Sequence, residues 1–255
     1  MENLGAALGW GLVVGGSLLA GGLVAAVARL PERVAATVTA FGGGILLAAV
    51  ALELIPDADV EAGTALTAGG LLLGTLVYVG ADAWLNRDRD TMMVRRSMHA
   101  AAAGREMEMP LDRMQVARGE SIAAGLFVDG VPESIALGLT IAEDELGVAL
   151  LVGIVVGNAV EAYGAAQPII VGGRARRFAI VLLAVIGLAL SLATVLGGTV
   201  LADASGELIG TTQAIAAGAV LAVVSIAVIP HAFEEVSGLV ACATVAGFIA
   251  GYLLS

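Results

Sequence analysis

The chain is poor in several residue types, and each shortage excludes a class of protein. It contains no lysine, so all twelve of its positive charges are arginines. Charged residues make up only 14% of the 255 positions, whereas soluble domains carry about a quarter. Cys242 is the single cysteine, which excludes a disulfide framework and a thiolate metal site. The net charge of −11 argues against nucleic acid as a partner.

Apolar sequence, in contrast, is abundant. The chain is 59% hydrophobic with 35 glycines, and its mean hydropathy is +0.97. About twenty apolar residues cross a bilayer, and small residues let transmembrane helices approach closely. The sequence therefore predicts an all-α, polytopic membrane protein with eight transmembrane helices. The predicted spans are 4–28, 34–56, 63–85, 118–141, 146–171, 178–201, 210–230 and 237–254.

The arginines orient these spans. They fall in the connections after the first, third and fifth spans, while acids such as Asp57, Glu143 and Glu207 fill the intervening loops. Positively charged residues stay on the cytoplasmic side. We therefore expect a multi-pass protein of the inner cell membrane with both termini outside. Its single membrane domain divides into helices 1–3 at 1–85, a cytoplasmic Met- and Arg-rich loop at 86–117, and helices 4–8 at 118–255.

Two segments of the chain resemble each other. The sequence GILLAAVALELIP of 44–56 is echoed by GAVLAVVSIAVIP of 218–230, with glycine and proline in register. Glu53 in the first copy corresponds to Ala227 in the second. Internal repeats with a binding site between them are common in transporters, although helices rich in Ala, Val and Leu also resemble one another by chance. The pattern indicates an internal repeat.

Acidic residues in the fourth and fifth spans are the candidate functional groups. Asp129 and Glu133 are four residues apart and share a helix face, with Pro132 between them, while Asn158 and Glu161 are three apart on the next span. A charge at the bilayer centre costs at least ~2.5–3.5 kcal/mol. Since no arginine accompanies these acids, the pattern favours a cation site over helix packing by hydrogen-bonded acids.

Glu53 in the second span is a further candidate, because it lies three residues before Pro56 and near the outer end. It is interpreted either as an outer metal ligand or as an interfacial acid that reaches water.

These motifs resemble the ZIP family of divalent metal transporters. Pro132 and Glu133 match the family's fourth-span motif, with Asp129 in place of its histidine, and Asn158 and Glu161 match the fifth-span motif, with Gly157 in place of its histidine. The resemblance implies a ZIP-like bundle that carries a divalent metal of the Zn, Mn or Fe type into the cytoplasm. It implies metal ligands at Asp129, Glu133, Asn158, Glu161 and Glu53, and no permanently bound cofactor.

The missing histidines shape the expected site. Zinc sites draw on His or Cys, whereas an all-oxygen set suits Mn²⁺, Mg²⁺ or another hard cation. A mononuclear site is expected, because Ala227 and its neighbours leave the seventh span without a ligand.

Two other functions and one assembly are also considered. A ZIP-like protein that no longer transports would bind a regulatory ion or partner. An intramembrane enzyme with a carboxylate dyad lacks an accompanying nucleophile, histidine or nucleotide motif, so the chain is expected not to be an enzyme. Gly11 and Gly15 form a small-residue face that packs within or between subunits, which leaves a homodimer possible.

Overall fold

The computed structural model describes residues 2–85, 111–142, 147–200 and 204–255. Helices account for nearly all of this described part, and it contains no strand. The ten α-helices are α1 (Glu2–Val27), α2 (Glu32–Ala49), α3 (Ile55–Ala62), α4 (Thr64–Leu85), α5 (Leu111–Ala142), α6 (Val148–Val171), α7 (Arg176–Thr199), α8 (Gly206–Val223), α9 (Ile229–Val236) and α10 (Leu239–Leu254). Two π-helical turns, Val50–Leu54 and Val224–Val228, join α2 to α3 and α8 to α9.

Seven of these helical stretches are long and apolar enough to cross a membrane. The second begins at Arg33 and continues through its π turn to Ala62, six residues beyond the predicted end of that span. The last helix, α10, has 16 residues and is the eighth apolar segment. The all-helical bundle expected from the sequence is thus present, with seven full-length apolar helices and one short one among the described residues.

Helix α5 begins before the predicted fourth span. Its first residue is Leu111, and the apolar stretch runs from Leu111 to Ile141, whereas the predicted span begins at 118. Residues 111–117, which include Asp112 and Arg113, are therefore helical within the segment predicted as a cytoplasmic loop. The rest of the predicted Met-rich loop, 86–110, lies outside the described residues.

The helices form a central bundle against which two helix pairs pack, and the two pairs also contact each other. Helices α1, α5, α6 and α7 pack on one another and make up the central bundle. The flanking pairs are α2 with α10 and α4 with α8. Glycines at the crossings let the backbones touch: Gly15 of α1 lies against Gly187 of α7, and Gly247 of α10 against the carbonyl of Phe41.

The packing follows a pseudo-twofold relation. Helix α1 packs on α6 as α7 packs on α5, and α2 packs on α10 as α8 packs on α4. The two π turns obey the same relation, since each begins six residues after the glycine and ends two residues before the proline of its copy. A proline lacks the N–H that an uninterrupted helix needs. In both copies the helix widens into a π turn just before the proline. The sequence echo is therefore a repeat of backbone structure.

The two ends of the bundle differ in charge. One end carries Arg29, Arg174 and Arg176, and is called the arginine end below. The opposite end carries Glu61, which lies against Gly206, and Glu207, and is called the acidic end.

Candidate functional site

The acids of the fourth and fifth spans lie in the two most central helices. Asp129 and Glu133 belong to α5, and their side chains are only 7% and 4% exposed. Asn158 of α6 is 3% exposed, and Glu161, one turn further along, is partly exposed. Helices α5 and α6 pack directly on each other. Four oxygen-bearing side chains predicted from the sequence therefore lie in the interior, at the contact between two helices.

Three of these side chains are electrostatic neighbours. Glu133 experiences the charges of both Glu161 and Asp129, and Glu161 experiences the charge of Asp129. Like charges in a poorly solvated interior repel strongly. Among the residues that the structure describes, none of the three acids forms an ion pair with an arginine. The ion pair found among these residues lies at the arginine end, where Arg174 is 3.5 Å from Glu120. The cluster therefore brings three acids together without a compensating arginine in the described part of the chain.

Several buried polar atoms around this cluster have no hydrogen-bond partner. They are Oδ1 of Asp129, Nδ2 of Asn158 and Oγ of Ser134. An unsatisfied buried polar atom costs roughly 1–3 kcal/mol. Turning the Asn158 amide by 180° exchanges its donor for an acceptor oxygen. These unsatisfied donors and acceptors lie beside acids that have no arginine partner among the described residues.

Tyr78 is a member of the cluster that sequence reasoning missed. It lies on α4, is 4% exposed, and its hydroxyl is a hydrogen-bond donor to the Asp129 carboxylate. Tyrosine hydroxyls in a protein interior usually need such a partner. The only sequence signal was an aromatic residue four positions before Asp82 in a chain with few aromatics, which does not identify the partner 51 residues away.

The acids do not yet form a closed coordination site. Within residues 2–85, 111–142, 147–200 and 204–255, no three His, Cys, Asp or Glu side chains converge well enough to hold one metal ion. Asp129, Glu133 and Glu161 share a region and a charge imbalance, without a common ligation point.

The structure places Glu53 apart from the other predicted ligands. Its carboxylate lies beside the backbone of Ala149 and Leu150, in the first turn of α6, and its Oε2 atom has no hydrogen-bond partner among the described residues. Leu150 and Asn158 are eight residues apart on that helix, which corresponds to about 12 Å along its axis. Asp129, Glu133, Asn158 and Glu161 are thus brought together, and Glu53 is not.

Burial around the acid cluster differs between its two sides. Toward the acidic end, α5 is almost wholly buried from Glu133 to Ile141, and Leu137, Leu150 and Ile154 have essentially no exposed surface. Toward the arginine end, both α5 and α6 carry partly exposed residues. A Cβ atom added at Gly125 or Gly164 would meet no atom within 4 Å. Burial is therefore denser on the acidic-end side of the acids than on the arginine-end side.

Comparison with known proteins adds no family assignment. No protein-family model matches the chain, and no curated protein shows significant similarity to it. The interpretation of the acid cluster consequently rests on its own chemistry and on the motif resemblance.

Proposed function

We propose that this chain is a membrane carrier of a divalent metal cation. The observation that carries the proposal is the group of three interior acids, Asp129, Glu133 and Glu161, which have no arginine partner among the described residues. An uncompensated charge is expensive inside a protein and at the centre of a bilayer. A bound cation would remove this cost, and a carrier must both bind and release it.

The donor set favours a hard cation. Carboxylate oxygens of Asp129, Glu133 and Glu161, with the amide oxygen of Asn158, are the ligands that Mn²⁺ and Mg²⁺ prefer. We propose a mononuclear site, since these four groups are too few for two ions. The motif resemblance to ZIP transporters supports a divalent metal, and the glycine and aspartate at its histidine positions support Mn²⁺ over Zn²⁺.

Binding requires the side chains to move. Because the acids have no common ligation point, their side chains must rotate inward around the ion. The ion supplies the driving force, since each carboxylate exchanges repulsion by its neighbours for attraction to the metal. Tyr78 steadies Asp129 during this exchange through its hydroxyl.

The charge at the two ends supports an orientation and a route. With the arginine end in the cytoplasm, both termini lie outside the inner membrane and the less densely buried side of the cluster faces the cytoplasm. Transport inward then requires a second state in which the acidic end opens. Movement of the central bundle between the flanking pairs would provide it, because the acids belong to the bundle and Tyr78 to a flanking pair.

Uptake of Mn²⁺ into proteoliposomes tests the proposal. Glu133→Gln and Glu161→Gln keep side-chain size but remove the charge, and each is expected to abolish uptake. Glu207→Gln is the matched control, because it removes an exposed acid of the acidic end and should leave uptake unchanged. Full transport by both interior variants would refute the site.

A ligand-binding protein without transport is the second candidate. It is favoured by the absence of a preformed three-ligand group among the described residues. Wild-type protein that binds Mn²⁺ through Glu133 and Glu161 but gives no flux would support it and would rule out a carrier.

A further inference from the structure

We infer that Glu53 is a positioning residue that holds the acidic end of the carrier closed by capping helix α6. The inference rests on the proposed function, because a closed end has a purpose only in a protein that alternates between two openings. It also replaces the expectation that Glu53 ligates the transported ion.

The first support is the chemistry of the α6 N-terminus. The first N–H groups of a helix have no partner inside it, and the helix dipole makes this end positive. The N-cap residue is Gly147, whose side chain cannot supply an acceptor. The carboxylate of Glu53 lies at this end instead, beside Gly147 and the backbone of Ala149 and Leu150. A carboxylate that follows α2 of a flanking pair thus lies at the positive end of α6, a helix of the central bundle.

The second support is the tight fit at this junction. A Cβ atom on Gly147 would lie 2.9 Å from Oε2 of Glu53 and 3.5 Å from Cγ2 of Thr140. The Gly147 N–H donates to Oγ1 of Thr140, at 3.4 Å. The carboxylate therefore occupies a place that only glycine leaves free, between the end of α5 and the start of α6.

The third support is the difference between the two copies of the repeat. Glu53 lies in the π turn Val50–Leu54, and the equivalent residue of the turn Val224–Val228 is Ala227. The pseudo-twofold relation pairs α6 with α5, but α5 extends to Leu111 at the arginine end and so has no free N–H groups at the matching level. The contact between Glu53 and the start of α6 is called the latch below. Among the described residues, the latch therefore exists at the acidic end and has no equivalent at the arginine end.

This difference agrees with the burial around the acid cluster. Leu54 beside Glu53, and Leu150 and Ile154 on α6, have no exposed surface, whereas Gly125 and Gly164, on the other side of the cluster, border open space. The side of the cluster nearer Glu53 is therefore the more densely buried one. Release of Glu53 from α6 would be the first step in opening the acidic end.

Cysteine accessibility tests the latch without requiring transport. The reporter is Ile154→Cys in a Cys242→Ser background, labelled by a membrane-impermeant maleimide added at the acidic face of right-side-out vesicles. We expect Glu53→Ala to raise the labelling rate about tenfold or more, which corresponds to about 1.4 kcal/mol. Asp59→Ala removes an exposed acid three residues beyond Pro56 and should leave the rate unchanged.

A second variant covers the case in which Glu53→Ala fails to fold. Gly147→Ala keeps the carboxylate but displaces it from its place, and it should also raise labelling. Unchanged labelling in the folded variants would overturn the latch. Loss of Mn²⁺ binding by Glu53→Ala with unchanged labelling would restore the ligand role. Absence of Mn²⁺ flux in wild-type protein would refute the carrier, whereas the labelling result would still decide the latch.

Discussion

Replacing Glu133 by glutamine should make the metal-free protein more stable while abolishing its response to metal. Glu133 is 4% exposed and is repelled by Glu161 and Asp129. If its carboxylate binds a cation, it lowers the free energy of unfolding of the protein whenever no cation is present. Glutamine keeps the shape and removes the charge. A group that is strained for function is stabilised by such a change.

The size of the effect follows from burial and charge. An interior acid costs about 2.5–3.5 kcal/mol on insertion scales, and the amide that replaces it retains part of that cost as an unsatisfied polar group. We therefore expect a gain of about 1–2 kcal/mol. On the scale of soluble domains of 150–250 residues, this raises Tm by about 2–8 °C. Wild-type protein should instead gain about 2.7 kcal/mol at a metal concentration of 100 Kd.

Thermal unfolding in detergent, with and without Mn²⁺, measures both quantities. Glu207→Gln serves as the control and should follow wild-type protein in both conditions. A lower Tm for Glu133→Gln without metal would refute the reasoning, because it would make Glu133 a structural hydrogen-bonding residue. A normal Mn²⁺ response of the variant would likewise remove Glu133 from the site.

Three further predictions concern the ion, the proton and the packing. Gly157→His places an imidazole in open space one turn from Glu161, and it should raise the preference for Zn²⁺ over Mn²⁺ about tenfold in competition binding; an unchanged preference would place that face away from the metal. Protons compete with the cation for the same carboxylates, so Mn²⁺ affinity measured by calorimetry should fall as pH is lowered, by up to about tenfold per pH unit for each proton released; a flat profile would contradict carboxylate ligation. Gly247→Ala drives a Cβ into the carbonyl of Phe41 and should lower the free energy of unfolding by about 1–3 kcal/mol, whereas Gly5→Ala, which meets no atom within 4 Å, should be neutral or slightly stabilising in the same melt.

Hydropathy and spacing predicted the parts of the fold that depend on local sequence. Eight apolar spans were expected, and the described residues contain seven full-length apolar helices and one shorter one. The repeated glycine-to-proline segments adopt the same π turn. Hydropathy did not predict the start of α5, because it reports on lipid contact and not on helix formation. Residues 111–117 are helical in spite of their charges.

The candidate site was predictable only where its members share a helix. Asp129 and Glu133, or Asn158 and Glu161, share a face through helical spacing alone. Tyr78 joins Asp129 from another helix, and Glu53 meets the start of α6 almost a hundred residues later in the chain. Both contacts depend on how helices pack, and spacing along one helix carries no information about that.

The short final helix has a consequence for the surrounding lipid. At 16 residues, α10 is about 24 Å long, whereas the hydrocarbon layer is about 30 Å thick. A membrane-spanning α10 of this length would require a thinner bilayer, or headgroups drawn inward, beside the α2–α10 pair. The length of the lipid acyl chains would then affect the α2–α10 pair more than the α4–α8 pair. A thicker membrane would favour the conformation of the carrier in which the α2–α10 pair is least tilted.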